Sequence, residues 1–158
     1  MLSQTVEYAL RAMVTLAYHP DDLVSTPELA EMTRVPSNYL AKVLQTLAGA
    51  DLIIGRRGVG GGYRMAKPAE DIKLLDVINA VSPVTRITEC PLGLDNHSEH
   101  LCALHTRMDQ AAAGVIEIFG STSLADIIQG EDGPELPLCD ARQAQEVQQV
   151  RVQKPKSE

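Results

Sequence analysis

Apolar positions near the start of the chain recur at helical spacing and are interrupted by turn residues. Residues 3–18 carry apolar side chains every three or four positions, which is typical of a helix with one buried face. A second helix is expected soon afterwards, because Ser25 can cap it, Pro27 is tolerated in its first turn and Glu28 completes a capping box. The pattern therefore predicts one long helix and one short helix, which ends at about Thr33.

A tight turn separates this short helix from a third one. Pro36 disfavours helical geometry at Val35, and helical spacing resumes from about Ser37 to Ala50. Two short helices joined in this way are typical of a helix-turn-helix, whose second helix enters the major groove of DNA. A helical hairpin with no DNA-binding role is an equally simple interpretation of this pattern alone.

The glycine-rich stretch that follows makes the DNA-binding interpretation stronger. Residues 52–54 and 63–65 are β-type runs, and the segment 55–62 between them is rich in glycine, which predicts a β-hairpin. Beside a helix-turn-helix, such a hairpin is the wing of a winged helix, from which Arg56 and Arg57 would reach phosphates or a minor groove. A phosphate-binding loop is disfavoured, because no helix begins after the glycines and no Gly-Lys-Ser/Thr signature is present.

The second half of the chain contains further helical segments around a region without apolar periodicity. Helices are predicted over 71–81 and 106–119, with one further helical turn within 121–128. Residues 86–104 lack the pattern of a core element, and the residues after 130 are rich in Pro, Gln and charge, as in a flexible tail. The fold class is therefore mainly α with a small β-hairpin, built as a winged helix-turn-helix followed by a long helix.

Composition places the protein among soluble single-domain proteins. The 158 residues are 44% apolar and 22% charged, with only 3% aromatic residues, so the core must be aliphatic. No run approaches the roughly 18 apolar residues of a membrane span, and Glu7 and Arg11 interrupt the apolar pattern that a signal peptide needs. Three cysteines are too few for a disulfide scaffold, so we expect a cytoplasmic protein with reduced thiols.

Charge is distributed unevenly along the chain. The net charge is −7, which by itself argues against nucleic acid. Between Arg34 and Lys73, however, seven basic residues face three acidic ones, whereas five basic residues face eleven acidic ones from Cys90 onwards. Because binding to a polyanion depends on the local field, the basic half can bind DNA on an acidic protein.

Cysteine and histidine side chains dominate the region without apolar periodicity. Cys90, Cys102 and His105 are ligands suited to iron–sulfur clusters, zinc or copper(I), although the two cysteines lie farther apart than in zinc fingers. Two unligated thiols beside surface histidines are the ordinary alternative. Cys139 lies in the tail and is interpreted as incidental. No nucleophile-elbow pattern surrounds any Ser, His or Asp, so we expect no enzyme activity.

Five segments match, in order, the sequence pattern of one protein family. They are Tyr8-Ala9-Leu10-Arg11, Asn38-Tyr39-Leu40, Arg57-Gly58-Val59-Gly60-Gly61-Gly62-Tyr63, Asp76-Val77-Ile78-Asn79-Ala80-Val81 and Ser123-Leu124-Ala125-Asp126-Ile127. On these segments, residues 1–130 resemble the Rrf-two family of bacterial winged-helix transcriptional regulators, which includes iron–sulfur and nitric-oxide sensors. The glycine-rich segment is the most distinctive of the five.

The resemblance implies a homodimer that binds a palindromic operator in double-stranded DNA, with no membrane partner. It implies the following DNA contacts: Ser37, Asn38, Tyr39 and Lys42 in the recognition helix, and Arg56, Arg57, Gly60, Gly61 and Tyr63 in the wing. Four regions are then expected: a winged helix-turn-helix domain (1–82), a cysteine-containing sensor loop (83–105), a dimerisation helix region (106–130) and a flexible C-terminal tail (131–158).

The sensor loop departs from the family pattern at one position. Cys90 and Cys102 match the first and third of three evenly spaced cysteines in cluster-binding members, whereas Asn96 occupies the middle position. His105 and Glu7 lie where some members supply a histidine or, from the partner subunit, a carboxylate. Mixed ligation of this kind favours a 2Fe-2S cluster.

Three ligand sets remain open. The first joins Cys90, Cys102 and His105 to a neighbour, which is His97, His100 or Asp95. The second joins the two cysteines to Glu7 or another first-helix group across the dimer. In the third possibility the protein has lost the cluster and these residues ligate no iron. The resemblance thus predicts a repressor that senses redox, nitric oxide or iron–sulfur status through a 2Fe-2S cluster; the alternative is a clusterless regulator with a thiol switch or a small-molecule ligand.

Overall fold

The computed structural model describes residues 2–91 and 101–129. It contains helices α1 (Gln4–Ala17), α2 (Thr26–Thr33), α3 (Ser37–Gly49), α4 (Leu74–Val81), α5 (Ala103–Ser121) and α6 (Leu124–Gln129), strands β1 (Ile53–Arg56) and β2 (Gly62–Met65), and a 3-10 turn at Ala69–Asp71. The expected class, mainly α with one β-hairpin, is confirmed. None of the helices in these ranges is long and apolar enough to cross a membrane. Asp95, Asn96, His97, His100, Cys139 and the tail 131–158 lie outside the described residues.

Local sequence signals explain how the helix-turn-helix begins and turns. The backbone N–H of Ser25 donates to Glu28 Oε2 at 3.0 Å, and the Glu28 N–H donates back to Ser25 Oγ at 3.4 Å, which confirms the capping box. At the other end of α2, Arg34 takes a left-handed conformation with φ of 57°. The chain then extends through Pro36 and enters α3 at Ser37, so the turn between the helices has three residues.

The core is aliphatic, as the composition requires. Helix α1 lies at its centre and contacts α2, α3, α4 and α6. Its side chains Met13 and Leu16 are fully buried. They pack with Leu40, Leu44 and Leu47, which form the inner face of α3. Because successive turns of α3 are anchored in this way, its opposite face is held outward in a fixed orientation.

The hairpin is attached to the helical body through its second strand. Strands β1 and β2 pair antiparallel from Ile53–Met65 to Arg56–Gly62. Tyr63 also exchanges two backbone hydrogen bonds with Val24, of 2.9 and 2.8 Å, just before α2. A Cβ on Gly62 would lie 2.5 Å from the Val24 carbonyl oxygen, so only glycine permits this close approach. The wing is thereby fixed beside the start of α2.

The helix predicted over 71–81 begins later than expected, and that part of the prediction is wrong. Residues 71–73 are not in α4, which begins at Leu74. Ile72 is extended and buried, its carbonyl accepts from the Leu124 N–H at 2.9 Å, and the Leu74 N–H donates to the Thr122 carbonyl at 3.0 Å. This long-range pairing ties the segment before α4 to the junction of α5 and α6, and it replaces the first helical turn.

Candidate functional site

The outward face of α3 carries the residues predicted to contact DNA bases and phosphates. Ser37, Asn38, Tyr39 and Lys42 are all exposed, and the Tyr39 side chain is 58% accessible although it is aromatic. Tyrosine with this exposure has an apolar ring and a hydroxyl available for a partner. Together these side chains offer hydrogen-bond donors, acceptors and one positive charge on the first turns of the helix.

The tip of the wing is a closed turn. The Gly61 N–H donates to the Gly58 carbonyl at 2.9 Å, and Gly58 and Gly60 have φ values of 97° and 71°, a region that side chains disfavour. Arg56 Nη2 donates to the Gly60 carbonyl at 3.1 Å and so braces the turn. A guanidinium has five donors, so Arg56 keeps others for a phosphate, and Arg57 is exposed beside it.

A groove of about 470 Å³ lies between α3, the start of α2 and the wing. Four of the predicted DNA contacts line it, namely Arg56, Arg57, Gly61 and Tyr63. Thr26 and Gln45 line it as well and were not predicted from the sequence. Gln45 could have been found, because it follows Lys42 by one helical turn on the same face. Thr26 could not have been found from the sequence, because the backbone pairing of Val24 with Tyr63 is what brings it to the groove.

The positive charge of this groove and of the adjoining face of α3 is not neutralised within the part of the chain described. None of Lys42, Arg56 and Arg57 forms an ion pair with a carboxylate there. All three are exposed and lie on α3 or the wing. A surface with unpaired cations on adjacent elements attracts an extended polyanion.

Two of the predicted metal ligands lie side by side at the start of α5. Cys102 is the N-cap residue of α5, and its Sγ lies 3.3 Å from Nδ1 of His105. Both residues are half-buried, and so is Cys90 at the end of the preceding segment. Because α5 begins at Ala103 rather than at about 106, His105 belongs to its first turn.

Glu7 does not complete a metal site with this pair within the described part of one chain. It is an exposed residue of α1 that forms an ion pair with Arg11. Within residues 2–91 and 101–129, no three His, Cys, Asp or Glu side chains come together as a metal site. The structure thus brings together the sulfur of Cys102 and the imidazole of His105, two side chains of the kind that ligate iron–sulfur centres.

An ion pair attaches the segment before Cys90 to α5. Arg86 donates to both carboxylate oxygens of Asp109 at 2.6 Å, and the Ile87 N–H donates to the same carboxylate at 2.9 Å. The Arg86 hydrogen bond lowers the pKa of Asp109 to about 2. The sequence contains no local signal for this contact, since the partners are 23 positions apart.

Helix α5 presents an apolar seam to solvent. Leu104, Met108 and Ile118 are 66%, 50% and 63% exposed, and Ala111 and Val115 lie between them. Steps of four, three, four and three residues repeat the a/d spacing of helices that pair with another helix. We define these five residues as the α5 seam.

A helix-turn-helix with an exposed polar recognition helix and a basic, glycine-tipped wing defines a winged-helix DNA-binding protein. Similarity to known protein families assigns the chain more closely. The family model Rrf2, described as "Iron-dependent Transcriptional regulator", matches residues 2–130. The chain therefore belongs to the Rrf2 family and is a transcriptional regulator, which confirms the resemblance seen in the sequence.

Similar proteins agree with this assignment. A protein of Aquifex aeolicus named as a candidate HTH-type transcriptional regulator is 27% identical over 87% of this chain and 98% of its own length. A protein of Mycobacterium tuberculosis with the same kind of name is 31% identical, with 82% of this chain and 81% of its own covered. Among solved structures, T. potens IscR has a TM-score of 0.67 at 25% identity, with 82% and 86% covered. The global cysteine regulator CymR of B. subtilis reaches a TM-score of 0.67 at 22% identity, with 80% and 95% covered, and it shares the fold.

Proposed function

We propose that this protein is a homodimeric repressor that binds a palindromic operator in double-stranded DNA through α3 and the wing. The observation that carries this proposal is the exposed groove lined by Arg56 and Arg57, next to the face of α3 that carries Lys42. None of these three cations has a carboxylate partner among the described residues. Phosphate contacts from such cations supply most of the affinity, and they fix the register of the protein on DNA. It acts in the cytoplasm as a binding protein rather than an enzyme.

The residues of the proposed interface fall into two groups, those suited to phosphates and those suited to bases. Lys42, Arg56 and Arg57 are suited to phosphates, while Asn38 and Gln45 carry amides that can pair with adenine in the major groove. Asn38 and Gln45 lie two helical turns apart on α3, so both can follow the same groove. Ser37 and Tyr39 then position the helix through their hydroxyls.

The exposed α5 seam is the observation that supports a dimer. Helix α5 has 19 residues, about 28 Å of helix, and none of them is buried in the single chain. Two seams that pack together would remove Leu104, Met108 and Ile118 from water and relate the two winged helices by a twofold axis. A twofold dimer reads two inverted half-sites spaced by about one helical turn of DNA, which is a palindromic operator.

The sensor part of the proposal is a 2Fe-2S cluster held by Cys90 and Cys102 with His105 or Glu7 of the partner subunit. Support comes from the adjacent thiol and imidazole of Cys102 and His105 and from the iron-dependent description of the family. When bound, such a cluster supplies one-electron chemistry and a site for nitric oxide. The chain's own part is to hold it beside α5, and the clamp of Asp109 on Arg86 and Ile87 links the cysteine segment to that helix.

A thiol switch without a cluster is the second candidate, and one observation favours it. Cys102 is the N-cap residue of α5, and its half-buried Sγ lies 3.3 Å from Nδ1 of His105, so a modified thiol would disturb the first turn of the helix. Oxidants and electrophiles react with cysteine side chains. In this version, modification of Cys102 rather than loss of a cluster changes the start of α5.

The cluster is tested by the visible absorption and circular dichroism spectra of protein purified without oxygen, with iron and sulfide counted per chain. We expect a charge-transfer band with equal iron and sulfide, which is lost in Cys90→Ala and Cys102→Ala and kept in Cys139→Ala. A colourless wild type that still binds DNA would exclude the cluster and leave the thiol switch.

The DNA interface is tested separately by the salt dependence of binding. Duplexes selected by the wild type from a random-sequence library serve as the probe, and affinity is measured by fluorescence anisotropy. Lys42→Ala is expected to lower the slope of log affinity against log salt by about 0.9, because one phosphate contact is lost. Arg107→Ala removes an equally exposed cation from α5 and should leave the slope unchanged. Equal slopes for Lys42→Ala and the wild type would refute the proposed phosphate contact of α3.

A further inference from the structure

The side chain of Val59 lies at the tip of the wing, fully exposed to solvent. Its relative exposure is 105%, whereas Leu104, the next most exposed large apolar side chain in the described ranges, is 66% exposed. A single exposed aliphatic residue is ordinary on a protein surface. Position matters more than exposure here, since Val59 is the only side chain between Arg57 and Tyr63, where the other four residues are glycines.

The turn holds Val59 in a defined place. Val59 and Gly60 are the two central residues of the turn closed by the Gly61 N–H and the Gly58 carbonyl. Gly60 has the positive φ that the second central residue of a type II turn requires. Because Arg56 also holds the Gly60 carbonyl, the tip is ordered before it meets a partner, which reduces the conformational entropy lost on binding.

The neighbours of Val59 determine which surface it can meet. Arg56 and Arg57 lie directly before the turn and are exposed, so the tip approaches a surface rich in phosphate. Glycines at 58, 60 and 61 keep the tip narrow, as a minor groove about 6 Å wide demands. Once the arginines contact the two phosphate walls, the group that reaches the floor of the groove is the isopropyl group of Val59.

We propose that Val59 is a specificity-determining residue, which contacts the floor of the minor groove and favours A·T over G·C pairs beneath the wing. This inference rests on the proposed function, because it requires that the wing binds DNA. In the minor groove a G·C pair carries the guanine N2 amino group, which A·T pairs lack. An aliphatic side chain cannot accept a hydrogen bond from that amino group and would remove it from water, whereas it packs freely over A·T pairs.

Inosine substitution tests this contact. The probes are the selected duplexes in which the A·T pairs beneath the wing are replaced by G·C or by I·C, since inosine lacks the N2 amino group and keeps the major-groove pattern of guanine. The wild type should bind A·T and I·C duplexes within about twofold of each other and G·C duplexes about five- to tenfold more weakly. Val59→Ala should reduce this preference to within about twofold and leave the salt slope unchanged, because no phosphate contact is lost.

Two reference variants make the outcome decisive. Ile54→Ala removes a 46% exposed aliphatic side chain from the other end of the hairpin and should keep the preference. Arg57→Ala should lower the salt slope by about 0.9. If Val59→Ala keeps the full A·T preference while Arg57→Ala lowers the slope, this inference is overturned and the DNA-binding function stands. If Arg57→Ala leaves the slope unchanged, the wing is not on DNA, and the proposed wing contact fails together with the inference.

Discussion

At the scale of single residues, a few polar side chains hold one segment of the chain against another. Asp109, whose side chain is only 15% exposed, accepts hydrogen bonds from Arg86 and from the Ile87 backbone and so ties the segment before Cys90 to α5. Arg56 acts over a shorter distance and braces the wing tip through one hydrogen bond to the Gly60 carbonyl.

The Asp109 clamp makes stability depend on acid pH. Its pKa is lowered to about 2 from the ordinary 3.8, so its stabilisation is complete above about pH 3.8 and is lost as pH falls through about 2. Asp109→Asn should therefore lower the melting temperature at neutral pH and reduce the loss of stability between pH 4 and 2. Glu117→Gln, another carboxylate of α5, is the control. Identical pH profiles for Asp109→Asn and the wild type would show that the clamp does not stabilise the fold.

At the scale of elements, the wing depends on the close approach of two backbones. The Gly62 backbone lies against Val24, and an added Cβ there must move the strand or the segment before α2. We expect Gly62→Ala to reduce the free energy of unfolding by about 1–3 kcal/mol. Gly49→Ala, where a Cβ meets nothing within 4 Å, should be neutral or stabilising by up to about 1 kcal/mol. Urea unfolding measures the stability of both variants, and equal stabilities would contradict the close approach of the Gly62 and Val24 backbones.

Most elements could be predicted from the sequence because their signals are local. The capping box of Ser25 and Glu28, the turn at Pro36 and the hairpin glycines each act within a few residues. The start of α4 could not be predicted, because Ile72 pairs with the backbone of Leu124, which lies more than 50 positions away. The Asp109 clamp and the position of Thr26 in the groove could not be predicted for the same reason, because both depend on residues far apart in the sequence. Residues whose role depends on spacing within α3, such as Gln45, were within reach of sequence reasoning.

At the scale of the whole molecule, the proposed dimer depends on the α5 seam. Met108 is the second residue of the seam and is half exposed in the single chain. Met108→Glu would bury one negative charge from each protomer in the paired seams and should weaken dimerisation by at least about 2 kcal/mol, roughly 30-fold. Gln110→Glu introduces the same charge outside the seam and should leave the dimer intact. Sedimentation velocity distinguishes the two, and an unchanged dimer in Met108→Glu would place the interface elsewhere.

We propose that the state of the cysteine segment controls the affinity of the winged helices for DNA. Coupling of this kind requires that the two states differ in operator affinity, and a typical coupling free energy of about 1–3 kcal/mol corresponds to roughly 5- to 150-fold. The direct measurement is the affinity for the selected duplex, at one salt concentration, of protein purified without oxygen and of the same protein after chelation and thiol alkylation. We expect affinities that differ at least about fivefold in the wild type and agree in the Cys90→Ala/Cys102→Ala double variant. Equal affinities for the two wild-type forms would contradict the claim.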